Sequence, residues 1–433
     1  MTTADTAGGT SLWENRDFRR FFAGQFVTNV GDSLYTVAVL WLVFELSGST
    51  VLTGIANALL LLPWLLQILA GPIVDRLPLT PVLVGSQFAQ GIVVLVLPIA
   101  GMTGRLSVDL LLAVVPVLAL ATLLMSPMQA TLLPRIVADQ QLSRANSALA
   151  TITLGLDMVF DALGGAFIAI FGTTTLFWFD SVTFAVAGLL FGGIEVSPVS
   201  DGRQASEASI RSVIDSYLID LRAGIDVLRG TVFVDLVLTT AVFNLTTGVT
   251  LAILPAFGNT LGGPAVYGLL LGALGVGRLV GSLLAPLLER VAYGRLILVG
   301  YSVAACWWFT AVYAPWTALT VVLFGLAWVP AAIDDVLTST LNQTVFPDDL
   351  RGRVSAIKGT ASGGTLPLGS LVGGIVAELL GTKTTMGLAA LGLGFTGLYV
   401  LARPRLRRLP AVAEATPAAF GMTESSACDR DSA

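Results

Sequence analysis

The chain has 433 residues, of which 55% are hydrophobic, 12% are charged and none is histidine. Soluble domains carry about twice this fraction of charged residues, so the composition excludes an ordinary soluble protein and indicates a polytopic membrane protein. With two cysteines, Cys306 and Cys428, and no histidine, we expect no zinc site, no Cys–His nucleophile, no disulfide framework and no cofactor. The net charge of -5 gives no basic surface, so nucleic acid is not an expected partner.

Twelve apolar segments of about 20 residues, each bounded by charge, glycine or proline, are predicted to cross the bilayer. The charged segment before the first of them lacks a small-residue cleavage site, so we expect a retained anchor rather than a signal peptide. The predicted spans are 20–44, 52–74, 82–100, 108–128, 147–170, 174–193, 233–256, 265–288, 295–314, 316–337, 355–380 and 384–402.

The distribution of basic residues predicts the orientation. Of the 23 lysines and arginines, all but four lie on the side of the N-terminus. The exceptions are Arg105 and Lys383 on the opposite side, and Arg278 and Lys358 within or at the edge of spans. By the positive-inside rule, both termini are expected in the cytoplasm of a plasma-membrane protein.

The long polar gap between the sixth and seventh spans divides the chain into two halves. Apolar residues recur at helical spacing from Ile210 to Leu228, which predicts an amphipathic helix in this linker. The last residues are rich in Ala, Ser, Thr and acids, which predicts disorder. The predicted parts are a cytoplasmic segment 1–19, a six-helix lobe 20–193, the linker 194–231, a second six-helix lobe 232–403 and a disordered tail 404–433.

Short sequence matches indicate that the halves are repeats. GPIVDR at 71–76 aligns with APLLER at 285–290, 214 residues later, and LSRANSAL at 142–149 aligns with LRGRVSAI at 350–357, 208 residues later. LGG at 163–165 recurs as VGG at 372–374, at an offset of 209. This order and spacing favour parallel six-helix repeats with a central site between them.

These features together resemble the major facilitator superfamily, whose loop pattern G-x-x-x-D-R-x-G-R-R/K matches here at Gly71, Asp75 and Arg76. The stretches 15–49, 125–149 and 350–357 further resemble the drug-exporter branch that includes macrolide efflux and enterobactin export proteins. The resemblance implies an all-α membrane protein of twelve transmembrane helices in two pseudo-symmetric six-helix lobes, the major facilitator fold. It also implies transport of small molecules by alternating access.

The sequence departs from the family pattern at two motifs. The cationic end of the loop motif is replaced by Pro78, Leu79 and Thr80. The fifth-span antiporter motif keeps its last two glycines, but Phe160 and Asp161 stand where related exporters have Gly-Pro. Proton antiport is therefore less directly implied than membership of the superfamily.

Charged residues at mid-membrane are costly unless they are paired or face water, so they are candidates for function. Gln25, Asn29 and Asp32 recur at helical spacing and share one face of the first span. Because first helices of the family line the central cavity, we expect this cluster to face it rather than form a structural bond between helices. With no histidine in the chain, carboxylates are the only expected proton carriers.

A second cluster is predicted between the fifth and eighth spans, which pack together in the family. Asp157 and Asp161 share one helix face, and Arg278 lies at a similar depth when residues are counted from the cytoplasmic ends. We expect an Asp157/Asp161–Arg278 cluster that binds protons or substrate. The alternative is a permanent salt bridge that only offsets the burial of Arg278.

Charged residues at the cytoplasmic ends of spans are predicted to form latches that hold the outward-open form. Asp180 and Lys358 are weaker candidates, because sixth helices are usually peripheral and Lys358 is close enough to the cytoplasm to snorkel. The predicted latch residues are Gly71, Asp75 and Arg76 in the first half, and Glu289, Arg290, Asp334 and Asp335 in the second.

The leading functional hypothesis is a monomeric secondary active exporter of amphipathic small molecules, such as antibiotics or natural products, by proton antiport. No G-x-x-x-x-G-K-[ST] phosphate loop occurs, so direct ATP hydrolysis is not expected. The alternative is a permease or importer for another solute or lipid-like metabolite, with the intramembrane charges binding substrate rather than protons. A receptor or a membrane enzyme fits less well, because the repeat and the mid-membrane charges are unexplained by the first and no nucleophile or metal constellation supports the second.

Overall fold

The computed structural model describes residues 11–63, 66, 78–123, 125–195, 219, 222, 225, 228–346 and 348–420. This part of the chain is helical, and within it Ala292 and Ala411 form an isolated antiparallel β-bridge. The predicted residues Gly71, Asp75 and Arg76 lie outside the described residues, as does most of the predicted linker helix.

The helices reproduce the predicted order of spans and extend several of them by a turn or more at one end. Their bounds are α1 Arg16–Ser47, α2 Thr50–Leu60, α3 Leu79–Met102, α4 Val108–Thr122, α5 Met125–Ile136, α6 Leu142–Phe171, α7 Thr173–Gly192, α8 Val232–Leu261, α9 Pro264–Leu288, α10 Tyr293–Tyr313, α11 Thr317–Val345, α12 Asp348–Leu380, α13 Thr382–Ala402 and α14 Pro404–Arg407.

Ten segments of the described chain are long and apolar enough to cross a membrane, with α4 and α5 together forming one of them. The shorter apolar helix α2 and the apolar end of α6, Val159–Phe171, occupy the two remaining predicted positions. The prediction of an all-α membrane protein is therefore confirmed for the described part of the chain.

The helix ends define two faces of the bundle. Arg16, where α1 begins, lies on what we call the terminal face, and the short turns after α1, α3, α6, α8, α10 and α12 lie on the opposite loop face. Asn15 caps α1 on the terminal face by accepting hydrogen bonds from the backbone N–H groups of Asp17 and Phe18, both at 3.0 Å. On the loop face, Gly48 ends α1 with a φ of 63°, a left-handed conformation that glycine adopts without strain.

The two lobes, α1–α7 and α8–α13, meet through two equivalent helix pairs, α2 with α12 and α6 with α9. Gly374 of α12 packs against the backbone of Thr50, and Gly165 of α6 packs against the backbone of Pro264. Thr50 and Pro264 are 214 residues apart, and Gly165 and Gly374 are 209 apart, the offsets found between the sequence repeats. The contact between lobes thus follows the internal pseudo-symmetry.

The structure corrects the prediction of a disordered tail for residues 404–420. Leu406 and Phe420 are fully buried, and the Phe420 ring lies 5.6 Å from that of Phe233 at the start of α8. The backbone N–H of Tyr293 donates to Pro410 O at 3.0 Å, and that of Ala413 donates to Glu289 O at 3.1 Å. The composition concealed this docking because a few apolar side chains, spaced irregularly among polar residues, supply the buried area.

We expect Phe420→Ala to destabilise the second lobe. Truncating a fully buried phenylalanine removes its apolar contacts and leaves a cavity, which costs about 3 kcal/mol or more in globular cores. The melting temperature of the purified protein should fall, while Thr416→Ala at an exposed position of the same segment should leave it unchanged. Equal melting temperatures for the two variants would show that the tail contributes nothing to stability.

Candidate transport path and ion site

A carboxylate of the second lobe closes the loop face against the first. Glu378 near the end of α12 accepts hydrogen bonds through Oε2 from the Ser49 hydroxyl at 3.3 Å, and from the Thr50 backbone N–H and hydroxyl, both at 3.1 Å. The Thr50 hydroxyl also lies 2.8 Å from Gly374 O. Glu378 therefore caps the N-terminus of α2 from the other lobe, where the helix dipole favours a negative charge.

Two further contacts join the lobes below this cap. The Asn57 side-chain amide of α2 donates to the Ser370 hydroxyl of α12 at 2.8 Å, and both side chains are buried. The ring of Trp41 on α1 stacks on that of Tyr267 on α9, with centroids 5.9 Å apart. These contacts must separate if the loop face is to open.

Nearer the terminal face, two glycines on the side of α12 that contacts the first lobe have no described residue packed against them. Gly363 and Gly359 lie eleven residues, about three turns, before Gly374 and Ser370, so each points in nearly the same direction as its partner in the pair. A methyl group added at Gly374 would collide with the first lobe, whereas one at Gly363 or Gly359 would lie more than 4 Å from every described atom outside its own helix.

Arg278 pairs with Asp335, a partner that the sequence did not predict. The guanidinium Nη2 lies 3.5 Å from Asp335 Oδ2, and both side chains are more than half exposed. Each residue is ten positions, about 15 Å, from the terminal-face end of its helix. Both residues belong to the second lobe, and because an exposed charge at this depth is costly in hydrocarbon, the pair is a candidate for lining a water-filled path.

Among the described side chains, the ion-pair partner of Arg278 is not a member of the predicted Asp157/Asp161–Arg278 cluster. The depth estimate was sound, because Ala162 of α6 lies against Gly272 of α9, two turns from Arg278. However, the side chain of Asp157 lies outside the described part, and the ion pair of Arg278 is with α11. Asp161 is partly buried at the contact between lobes, within electrostatic range of Tyr267.

Asp334 lies close to the loop at 289–295, as predicted, but its hydrogen bonds are to tyrosines. Its two carboxylate oxygens accept from the hydroxyls of Tyr293 at 2.6 Å and Tyr301 at 2.9 Å. Within that loop, Glu289 receives a backbone hydrogen bond from the tail and Arg290 is exposed. Latching by these residues stays a prediction, since the contacts fix α10 to α11 within one lobe.

The cluster on α1 divides into a buried part and a partly exposed part. Gln25 is 4% exposed, and its Nε2 has no hydrogen-bond partner among the described residues. The Asn29 side chain donates to the backbone carbonyl of Gln25 at 2.7 Å, so it is bonded within the helix. Asp32 is partly exposed and lines a cavity.

That cavity has a volume of about 240 Å³ and lies inside the first lobe, between α1, α3, α4 and α7. Asp180 on α7 lines it together with Asp32, and Asp180 is fully buried. α1 approaches α7 closely here, because a methyl group at Gly31 would overlap both Asp180 and Thr183. Asp180 was a weaker candidate because sixth helices are usually peripheral, whereas the structure brings it to the same cavity as the predicted Asp32.

Glu378 and Asp180 had only a weak signal in the sequence. Each is a carboxylate inside or at the end of an apolar segment. Such residues are functional candidates only because a charge in the membrane is energetically unfavourable. Their partners come from helices more than a hundred residues away, which a one-dimensional pattern does not reveal.

We expect Glu378→Gln to weaken closure of the loop face. The amide lowers the negative charge at the α2 N-terminus and replaces one hydrogen-bond acceptor by a donor facing the Thr50 N–H, so the closed form should lose stability relative to the open one. A spin-label pair at Leu46 and Leu380, exposed residues on the two lobes, should show a larger fraction of long distances. Glu45→Gln, at a neighbouring exposed carboxylate, is the control and should leave the distances unchanged.

Comparison with known proteins agrees with this architecture. The family of transmembrane secretion effectors within the major facilitator superfamily matches residues 8–428, and the chain belongs to it. It is a multi-pass membrane transporter and not an enzyme.

Among curated proteins, the chain is similar to the multidrug efflux pump Tap of Mycolicibacterium fortuitum, with 26% identity over 404 residues that cover 88% of this chain and 93% of that protein. Tap of Mycobacterium tuberculosis (strain ATCC 25618 / H37Rv) is 27% identical over 399 residues, covering 89% and 93%.

Solved structures show the same fold at low identity. The nucleoside transporter NupG superposes with a TM-score of 0.68 and 14% identity, covering 89% of this chain and 98% of that one. A bacterial homologue of the human lysosomal transporter Spinster, in an inward-facing and occupied conformation, gives a TM-score of 0.68 and 12% identity, covering 91% and 97%.

Proposed function

We propose that the protein is a secondary active exporter of amphipathic small molecules, of the antibiotic or natural-product type, driven by proton antiport across the plasma membrane. The observation that carries the proposal is the exposed Arg278–Asp335 ion pair of the second lobe, at a depth where charge is costly unless it faces water. A polar path of this kind is what a solute needs to reach the middle of the bilayer. The similarity to Tap multidrug efflux pumps supports the substrate class.

The terminal face is proposed to be cytoplasmic, because basic residues concentrate there. The structure then corresponds to a state that is closed outside by Glu378 and Asn57. Substrate enters from the cytoplasm or inner leaflet, and the lobes rock about the α2–α12 and α6–α9 contacts to release it outside.

The proposal is tested by drug accumulation in cells that express the protein, with and without a protonophore. Expression should lower the accumulation of at least one amphipathic antibiotic, and the protonophore should restore it to the level of cells without the protein. Unchanged accumulation across a broad panel would contradict export. Increased uptake of a solute would favour the permease alternative.

A further inference from the structure

The cavity between Asp32 and Asp180 is separate from the contacts between lobes. It is lined by helices of the first lobe alone, and its polar lining consists of Asp32, Tyr35, Thr36, Gln90, Thr122 and Asp180. Its volume of about 240 Å³ has room for several water molecules, each of which occupies about 30 Å³ in the liquid. The cavity is therefore polar and roomy enough to be hydrated.

Three buried polar atoms at this cavity have no hydrogen-bond partner among the described residues: Asp180 Oδ2, Gln90 Oε1 and the Tyr35 hydroxyl. Asp180 is 0% exposed and Gln90 is 1% exposed. Asp180 Oδ1 by contrast accepts from the Thr183 hydroxyl at 3.3 Å. Because buried polar atoms are almost always bonded, the unpaired oxygens indicate that the site is short of a hydrogen-bond donor or a proton.

The charges of the cavity lining indicate which kind of ligand the site would bind. Its titratable groups are Asp32 and Tyr35 on α1 and Asp180 on α7, while α3 contributes Gln90, α4 contributes Thr122 and α2 contributes apolar Leu60. Within the described part of the chain, no basic side chain lines the cavity. Two carboxylates that share one cavity repel each other, and a single bound proton removes this repulsion. The proton also supplies an O–H donor to a site with unpaired oxygen acceptors.

The second lobe makes the corresponding helix contact without carboxylates. There Thr246 on α8 lies in direct contact with Gly392 on α13, whose counterpart in the first lobe at an offset of 209 is Thr183. At the repeat offsets of 214 and 209, Asp32 corresponds to Thr246 and Asp180 to Ala389. The packing of the lobe therefore does not require the two acids, which leaves a functional reason for their presence.

We propose that Asp32 and Asp180 together bind one shared coupling proton in this cavity, beside the substrate path rather than in it. Asp32, which is partly exposed, exchanges the proton with water, and Asp180, which is shielded from solvent, shares it with Asp32. The proton comes from bulk water on one side and returns to bulk water on the other, so no further reactant is needed. The assignment rests on the proposed proton antiport and names the residues that perform it.

Infrared difference spectroscopy of the full-length protein in lipid, without drug, tests the assignment. Acidification should produce the carbonyl band of a protonated buried carboxylic acid, and either Asp32→Asn or Asp180→Asn should change its frequency and the pH at which it appears, because the remaining carboxyl group no longer shares the proton. Asp109→Asn, at an exposed position of α4, and Ser181→Ala, next to Asp180, are controls that should retain the band. A band with unchanged frequency and pH dependence in either of the two aspartate variants would overturn the shared proton.

Two measurements on the unaltered protein test the assignment without depending on how the variants fold. Dicyclohexylcarbodiimide, which reacts with protonated carboxyl groups in apolar surroundings, should label Asp32 or Asp180 at acidic pH and lose this labelling at alkaline pH. Absence of labelling at both residues would overturn the proposal. So would a rise in melting temperature that sodium chloride causes and choline chloride does not, since it would identify sodium as the bound cation. None of these readouts uses a drug, so their failure is distinct from a failure of the export assay.

Discussion

Gly268→Leu is expected to reduce drug export by at least about fivefold while the protein still folds and reaches the membrane. A methyl group at Gly268 would lie 2.6 Å from Ala162 O and 2.7 Å from the Cα of Gly165 across the α6–α9 contact. Overpacking of this kind costs about 1–3 kcal/mol, which shifts an equilibrium roughly fivefold to more than a hundredfold. The cost arises only when the loop face is closed, so it depletes one state of the cycle rather than both.

Distances between the lobes separate this effect from simple misfolding. The spin-label pair at Leu46 and Leu380 should report the open loop face in Gly268→Leu as the dominant state. Gly85→Leu is the matched control, because a side chain at this glycine of α3 meets no described atom within 4 Å and should be tolerated. Full export by Gly268→Leu would show that close approach of α6 and α9 is not part of the cycle.

Arg278→Met is expected to abolish transport with little change in stability. The Arg278–Asp335 pair is more than half exposed on both sides, and ion pairs in contact with water contribute about 0–1 kcal/mol to folding. In the path between lobes, however, the loss of the guanidinium leaves the Asp335 carboxylate to attract cations and repel anions along the route of the substrate. The melting temperature should therefore stay near that of the unaltered protein while drug export is lost.

The double variant Arg278→Met with Asp335→Asn distinguishes a working pair from a static one. If the two charges only neutralise each other, removing both should restore export. We expect no restoration, because the pair is positioned to interact with substrate or with water in the path. Arg105→Met, at an exposed loop-face arginine, is the control that should leave export intact. Restored export in the double variant would make the pair structural.

The sequence predicted the spans well because the bilayer imposes a length and a polarity on each of them. α9, for example, ends at Leu288, where the predicted span ends, since Glu289 and Arg290 carry charge past this position. The repeat offsets also anticipated the paired contacts at Gly165 and Gly374. These features depend on local composition and order, which one sequence contains in full.

The partners of the charged residues depend on helix rotation and were predicted less well. Counting residues gave the depth of Arg278 but not the direction of its side chain, which points to Asp335 on α11 rather than to the α6 face. The pairing of Asp180 with Asp32 likewise required the close approach of α1 and α7 at Gly31. Composition was also a poor guide to the tail, where burial of Leu406 and Phe420 outweighs the polar residues around them.

The central claim, proton-driven export by alternating access, is tested most directly with purified protein in proteoliposomes. A panel of neutral and permanently charged amphipathic drugs, which a pH gradient does not trap by itself, is supplied outside vesicles whose lumen is acidic. At least one drug should accumulate inside against its gradient as protons leave, and collapse of the pH difference by nigericin should release it. Equilibration to the same level with and without the pH gradient, for every drug that the protein moves, would contradict the account.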